Sequence, residues 1–323
     1  MNRDINIIFM GTPEFAVASL KHTVESGYRV SAVVTVPDKP AGRGLKLKQS
    51  AVKEYALEQG LPVLQPQNLS DPEFIGQIKS YGANLFIVVA FRKLPEALWS
   101  LPSLGCFNLH ASLLPHYRGA APINHALING ESVTGITTFF INAGIDTGKI
   151  LLQQSVEAGP DETAGELHDK LKEAGAALVV KTIACIAESK CKPVPQPEVR
   201  GAVKTAPRIF REHCIINWNR PASEVHNLIR GLSPYPGAIA FLGEGENQRE
   251  TKILRTTQSH EVCDIPPGHT RIISGNRLLV ACNDYFLELI TLQPAGKKAM
   301  PTPDFLRGFR DEKLIFKAAP EAV

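Results

Sequence analysis

Along the first half of the chain, short apolar runs alternate with stretches of helical period. Ile5-Asn-Ile-Ile-Phe-Met10 is a short, largely apolar run of buried-strand type, ended by Gly11-Thr-Pro-Glu14. Pro13 onward reads as a helix ending near Gly27, and Tyr28 to Val36 as a β-branched strand. Ser50 to Gln59 is helical in period and stopped by Gly60, while Leu85 to Phe91 is apolar throughout. A continuous apolar strand is the mark of a parallel sheet covered on both faces. Strand, helix, strand in this rhythm predicts an α/β domain with a doubly wound, mostly parallel, Rossmann-like sheet. A long helix is expected from Asp161 to Ile186, with Thr163 as its cap and Glu166 completing a capping box.

The pattern changes after Glu188. Ser189 to Pro207 holds four prolines and little periodicity, as an extended linker would. Pro221 to Gly231 then reads as a helix. Short strands follow at Ala238–Leu242, Lys252–Thr257, Arg271–Ile273, Arg277–Cys282 and Phe286–Leu292, the rhythm of a small β-barrel. The expected division is 1–188, a linker at 189–207, and 208–323, and a length of 323 residues suits two domains.

Composition narrows the class. Thirty-five basic against 32 acidic residues leave +3, too little for a tail-driven polyanion binder but compatible with a local basic patch. The longest apolar run is seven residues, far short of the roughly 20 that span a bilayer. The N-terminal apolar run is too short for a signal-peptide core. The six cysteines form no CxxC and suggest free thiols in a reducing compartment. A cytoplasmic protein without a membrane partner is the expectation.

In open α/β sheets, ligands bind beyond the carboxyl ends of the strands. The first strand ends in glycine, yet neither GxGxxG nor GxxxxGK[ST] follows, which disfavours a dinucleotide-dependent dehydrogenase. The informative stretch is Cys106-Phe-Asn108-Leu-His110-Ala-Ser112-Leu-Leu-Pro115. Residues two apart on a strand share a face, so Asn108 and His110 project together. An amide can donate to a developing oxyanion, and a histidine can exchange protons near neutral pH. Asp146 is a lone carboxylate in a glycine-flanked loop, able to hold an imidazolium or accept a proton. Spacing alone is weak evidence and favours a buried, hydrogen-bonded polar pair. No histidine or cysteine cluster has zinc-ligand spacing, and no metal is expected.

Asn108-x-His110-x-Ser112-Leu113-Leu114-Pro115, then Arg118-Gly-Ala-Ala-Pro122 and Gly144-Ile-Asp146-Thr-Gly148, resemble the formyltetrahydrofolate-dependent formyltransferase superfamily. Val36-Pro-Asp-Lys-Pro-Ala-Gly-Arg43-Gly is similar to the loop that methionyl-tRNA formyltransferases insert after their second strand. The segments from Ile229 to Ala238 and from Leu292 to Met300 resemble the C-terminal domain of that branch, so the likeness runs nearly end to end. The resemblance implies an OB-like C-terminal barrel that binds tRNA. It implies formyl transfer from 10-formyltetrahydrofolate to the amine of methionine on initiator methionyl-tRNA. It assigns catalysis to Asn108, His110 and Asp146, folate contact to Ser112, Leu113, Leu114 and Pro115, and the methionine pocket to Phe15. The chain is expected to act as a monomer.

One departure stands out. Relatives commonly carry Tyr-Gly-x-Ile-Leu-Pro after the central strand, where this chain has Phe91-Arg92-Lys93-Leu94-Pro95. A cation at 92 would either crowd the pterin loop or point outward.

Pro37 to Lys53 holds Lys39, Arg43, Lys46, Lys48 and Lys53 against Asp38, and Lys190 to Arg211 is similarly basic. A basic run is often only a solvated face. In the family the first loop enters the acceptor stem, which makes Lys39, Arg43, Lys46 and Lys48 the candidate tRNA contacts. Three other functions compete. Glycinamide ribonucleotide formyltransferases share the Asn-His-Asp set but typically lack a second domain. UDP-amino-sugar formyltransferases have one, so the basic loop is what separates them from this chain. An inactive RNA-binding relative is disfavoured by the intact set.

Overall fold

The apolar runs of the first half become adjacent strands, and the periodic stretches between them become the helices that cover those strands. The computed structural model describes residues 4–41, 46–199, 201–243, 248–308 and 314–317, with side chains for all of these but 41 and 46. In chain order the first elements are β1 (Asn6–Gly11), α1 (Glu14–Glu25), β2 (Arg29–Val34), β3 (Lys39–Ala41) and β4 (Lys46–Lys48). There follow α2 (Ala51–Glu58), β5 (Val63–Leu64), α3 (Pro72–Ser80), β6 (Leu85–Val89), α4 (Glu96–Trp99), β7 (Cys106–His110) and β8 (Arg118–Gly119). After these come α5 (Pro122–Ile128), β9 (Val133–Phe140), β10 (Ile150–Glu157), α6 (Ala164–Ala187) and β11 (Thr205–Ala206).

The chain divides into two compact units that interleave in sequence. The first comprises Met1–Gly119, Thr134–Val156 and His168–Thr205; the second comprises Ala120–Val133, Glu157–Leu167 and Ala206–Val323.

The first unit is built on a sheet of order β10-β9-β7-β6-β1-β2-β5. Its strands from β5 to β7 run parallel, and β9 turns antiparallel to β7. Strand order reverses between β1 and β6, which makes the carboxyl ends of β1, β6 and β7 the switch point where such sheets take ligands. The pleat decides which side chains go where. Ile8, Met10, Ala32, Val34, Phe86, Val88 and Cys106 share one face, packed with Phe74 and Ile78 of α3 and Leu98 of α4. Leu109 lies on the other face against α6, where a Cβ on Gly175 would meet its Cδ2 at 2.8 Å. Asn108 and His110 have the parity of Cys106 and therefore project toward the α3–α4 side. Each fully buried aliphatic or aromatic side chain here contributes about 1.5–3 kcal/mol. Gly11 is a packing glycine: a Cβ there would lie 2.7 Å from the Ala16 Cβ.

Local signals set the helix starts. The Ser50 side chain accepts from the Lys53 N–H, and Asp71 caps α3 with Pro72 in its first turn. Thr163 and Glu166 form the expected capping box: the Thr163 N–H donates to Glu166 Oε2 at 2.9 Å, and the Glu166 N–H to Thr163 Oγ1 at 3.3 Å.

The second unit holds α5, α7 (Ala222–Leu232), β12 (Ala238–Leu242), β13 (Arg249–Val262), β14 (Thr270–Ile273), β15 (Arg277–Ala281), β16 (Tyr285–Pro294), β17 (Met300–Pro301), α8 (Thr302–Arg307) and β18 (Phe316–Lys317). The sheet runs β14-β15-β16-β13-β12-β18, with β17 on β16. It is a curled antiparallel half-barrel whose two edges meet at a bridge between His269 and Ile315. Trp218, Val225, Ile229 and Leu232 fill it together with Ile253, Leu289 and Phe316.

One expectation changes near the end of α6. The described residues of 189–207 are not free of the first unit. Val194 bridges Ile150 through two backbone hydrogen bonds, and the Lys204 carbonyl accepts from the Tyr117 N–H at 2.6 Å. The thiols are not all free either. Cys185 and Cys191 form a disulfide across the end of α6, whereas Cys106, Cys214, Cys263 and Cys282 are unpaired. The end of α6 turns the chain back on itself and brings two residues six apart into reach, which spacing without a CxxC motif did not signal.

Candidate active site

His110 closes β7 and is 6% exposed. Its Nε2 lies 2.8 Å from the Tyr117 carbonyl oxygen. A carbonyl only accepts, so Nε2 carries a hydrogen and Nδ1 is the nitrogen left to exchange a proton. Nδ1 faces Asp146 Oδ2 at 3.8 Å. That separation is too long for a direct hydrogen bond and short enough for a strong charge interaction.

Asp146 is held from two sides. Its Oδ2 accepts the Gly119 N–H at 3.0 Å. Its carbonyl accepts Gln196 Nε2 at 2.7 Å, and the same nitrogen reaches the Gly148 carbonyl at 2.9 Å. Its backbone is left-handed, with φ +53°. For a residue with a Cβ this conformation costs about 1–2 kcal/mol, which the surrounding contacts must offset. Gly148 makes the tight loop possible, because a Cβ there would lie 1.6 Å from the Phe140 carbonyl oxygen.

Asn108 lies mid-strand between Val88 of β6 and Phe139 of β9 and is half-buried. Among the described residues no hydrogen bond holds its carboxamide. An amide donor, an imidazole nitrogen and a carboxylate thus gather at the carboxyl end of β7. They suit acyl transfer, in which charge develops on an oxygen and protons leave a nitrogen.

The turn after β7 is rigid. Ser112 is fully buried, and its hydroxyl donates to the His116 carbonyl at 2.7 Å. Thr137 Oγ1 donates to the Ser112 carbonyl at 2.6 Å while accepting from the Leu114 N–H at 3.2 Å and Gln153 Nε2 at 2.9 Å. One donor and two acceptors exhaust a hydroxyl. Leu114 and Pro115 are buried, whereas Leu113 is half-buried. The Ser112 hydroxyl is therefore committed to the turn itself.

Arg92 is tied to the segment after β5: its guanidinium donates to the carbonyls of Pro66 at 2.8 Å and Gln67 at 3.1 Å. Phe15 is 7% exposed and packs edge-on against His168, with ring centroids 5.2 Å apart.

The basic loop forms the β3–β4 hairpin, with Lys39 and Lys48 exposed on it. Arg43 and the side chain of Lys46 lie outside the described residues. Lys53 is not a free cation. Its Nζ pairs with Asp38 Oδ2 at 2.6 Å, and Gln65 donates to Asp38 Oδ1 at 2.8 Å. The Lys53 hydrogen bond, with the one from Gln65, holds the Asp38 carboxyl below its usual range. This trio anchors the hairpin base.

Sequence reasoning missed Tyr117, Thr137, Gly119 and Gln196. Tyr117 and Gly119 act through backbone atoms, which leave no side-chain signature, although Gly119 lay inside a motif already singled out. Gln196 sits in an aperiodic stretch with no local cue. Among the described residues, no three His, Cys, Asp or Glu side chains gather as metal ligands. No described helix is long and apolar enough to cross a membrane.

Comparison with known proteins identifies the family. A family model described as formyl transferase matches residues 4–183, and one described as formyl transferase, C-terminal domain, matches 208–310. A methionyl-tRNA formyltransferase of Bacteroides fragilis is 48% identical over 309 residues, 95% of each chain. One from Flavobacterium johnsoniae is 47% identical over 315 residues, 97% of this chain and 99% of the relative. Among solved structures, the sugar 3N-formyl transferase WlaRD superposes with a TM-score of 0.66 at 20% identity, covering 92% of this chain and 100% of that one. At that identity it speaks for the fold alone. With a family model over more than half of its length and near-full-length relatives at almost half identity, the chain belongs to the formyl transferase family, among the methionyl-tRNA formyltransferases.

Proposed function

We propose that the chain transfers the formyl group of 10-formyltetrahydrofolate to the free amine of methionine on initiator methionyl-tRNA, for translation initiation. The observation that carries the mechanism is the His110–Asp146 pair at 3.8 Å, with His110 Nε2 committed to Tyr117. Asn108 donates to the formyl oxygen as it becomes an oxyanion. One such donor is worth about 3–4 kcal/mol, on the order of 100- to 1000-fold in rate. His110, as imidazolium, stabilises the negative charge on the tetrahedral centre and passes the Nδ1 proton to the folate nitrogen as its bond to the formyl carbon breaks. Asp146 stabilises that imidazolium and helps draw the proton from the attacking amine. The 3.8 Å gap exceeds a direct hydrogen bond and suits a bridging amine N–H or water.

We take the monomer as the acting unit. The folate rests along Ser112–Pro115, with Leu113 as the contact. The sugar formyltransferase neighbour was solved with 5-N-formyl-THF, in keeping with a formyl-folate donor here. We take residues 1–188 as the catalytic part, 189–207 as its extension, and 208–323 as the tRNA-supporting part. Phe15 would line the methionine pocket, and Lys39, Arg43, Lys46 and Lys48 would contact the acceptor stem. A cytoplasmic setting follows from these substrates.

The test offers purified protein 10-formyltetrahydrofolate with charged initiator tRNA, charged elongator methionyl-tRNA and a nucleotide-linked amino sugar in parallel. Formylation of the initiator is expected. Formylation of the amino sugar alone would overturn the reading.

A further inference from the structure

We infer that Gln196 is a positioning residue for Asp146. It lies outside both matched family segments, 4–183 and 208–310, in the stretch whose sequence reads as a linker. Its carboxamide makes four contacts. Nε2 donates to the Asp146 carbonyl at 2.7 Å and to the Gly148 carbonyl at 2.9 Å. Oε1 accepts from Arg118 Nε at 3.1 Å and Nη2 at 2.5 Å. Carbonyls require a donor and a guanidinium requires an acceptor, so the network itself fixes which end of the amide is which. Glutamate lacks the donors, and asparagine is one methylene shorter.

The two sides that Gln196 ties together are the two walls of the acid–base pair. One is the loop that carries Asp146 in its left-handed conformation. The other is Arg118, next in chain to Gly119, whose N–H holds the Asp146 carboxylate at 3.0 Å. Two residues before Gly119, the Tyr117 carbonyl receives His110 Nε2, and the Tyr117 N–H is bonded to Lys204 of the same extended stretch. The segment that reads as a spacer therefore braces the geometry of both Asp146 and His110. Gln196 touches neither the acid–base nitrogen nor the carboxylate. It acts through the backbone that aims them.

The inference rests on the reading of Asp146 as the working carboxylate, so Asp146→Ala is measured beside Gln196→Ala and Gln196→Glu in steady-state formylation. Misplacement of a reacting group by about an ångström costs up to about 100-fold. Gln196→Ala is expected to lower kcat about 10- to 100-fold, with KM for both substrates within about threefold of the parent and the thermal midpoint unchanged. Gln196→Glu keeps the acceptor for Arg118 but sets a carboxylate against two carbonyls, and its kcat should fall at least as far. Turnover within about twofold of the parent in either variant, with Asp146→Ala inactive, overturns the inference. A loss that appears in KM, or that tracks a lowered thermal midpoint, overturns it as well. Near-normal turnover of Asp146→Ala sinks the reading of the site and this inference with it.

Discussion

Replacing Asp146 with asparagine tests the charge and leaves the shape. The variant retains an oxygen for the Gly119 N–H, and its backbone keeps the Gln196 contact, so the loop should hold. Asparagine is also among the residues that best tolerate the left-handed conformation found here. What disappears is a negative charge 3.8 Å from His110 Nδ1. Two unit charges at about this distance attract by roughly 1 kcal/mol in water and about 4 kcal/mol at an effective dielectric of about 20. The side chains of the pair are only 7% and 17% exposed, which favours the upper part of that range. About 3–4 kcal/mol less stabilisation of an imidazolium in the transition state lowers kcat by roughly 100- to 1000-fold. The assay is single-turnover formylation of charged initiator tRNA at saturating folate, which isolates the chemical step from release. A loss below about fivefold would refute the argument, for it would show that Asp146 serves through its hydrogen bonds alone.

Asn108→Ala removes the β7 amide to which no described residue is hydrogen-bonded and should lower kcat by about 100- to 1000-fold with little change in KM; steady-state kinetics check it. Lys39→Ala and Lys48→Ala should raise KM for tRNA but not for folate. Each should also reduce the slope of log affinity against log salt by about 0.7–0.9, read from titrations at several ionic strengths. His226 predicts a pH effect on stability. Burial lowers its pKa despite the Pro160 carbonyl and Asp161, and its ring is held between Thr256 and Pro160. With the folded value below the unfolded one near 6.5, only the unfolded chain binds the proton as pH falls past that point. Urea midpoints should therefore drop between pH 7.5 and 5.5, and His226→Gln should flatten that dependence.

Much of the fold was legible because local rules and tertiary demands agree. The apolar run Leu85–Phe91 became the central strand β6, and the barrel-like strands fell within a few residues of their expected places. The Thr163–Glu166 box opened α6 as expected, although helix geometry begins at Ala164 rather than Asp161. Among the site residues, Asn108 and His110 could be paired from their spacing, since strand period puts them on one face. Asp146 could be flagged but not joined to them, because its loop meets His110 only after β9 has turned antiparallel onto β7.

What the sequence determined by itself was therefore the principal strands and helices of each half, the strand carrying Asn108 and His110, and the family. Tertiary structure alone decided how those groups are held. Nothing in the period of residues 189–207 marks Gln196 as the residue bracing the Asp146 loop. Composition likewise set Asp38 against five cations without saying which it meets, and the folded chain pairs it with Lys53. The reason is physical. Apolar periodicity records which face of an element leaves water, and that is readable along the chain. A polar contact depends on where donors and acceptors distant in sequence meet, and only the folded chain brings them together.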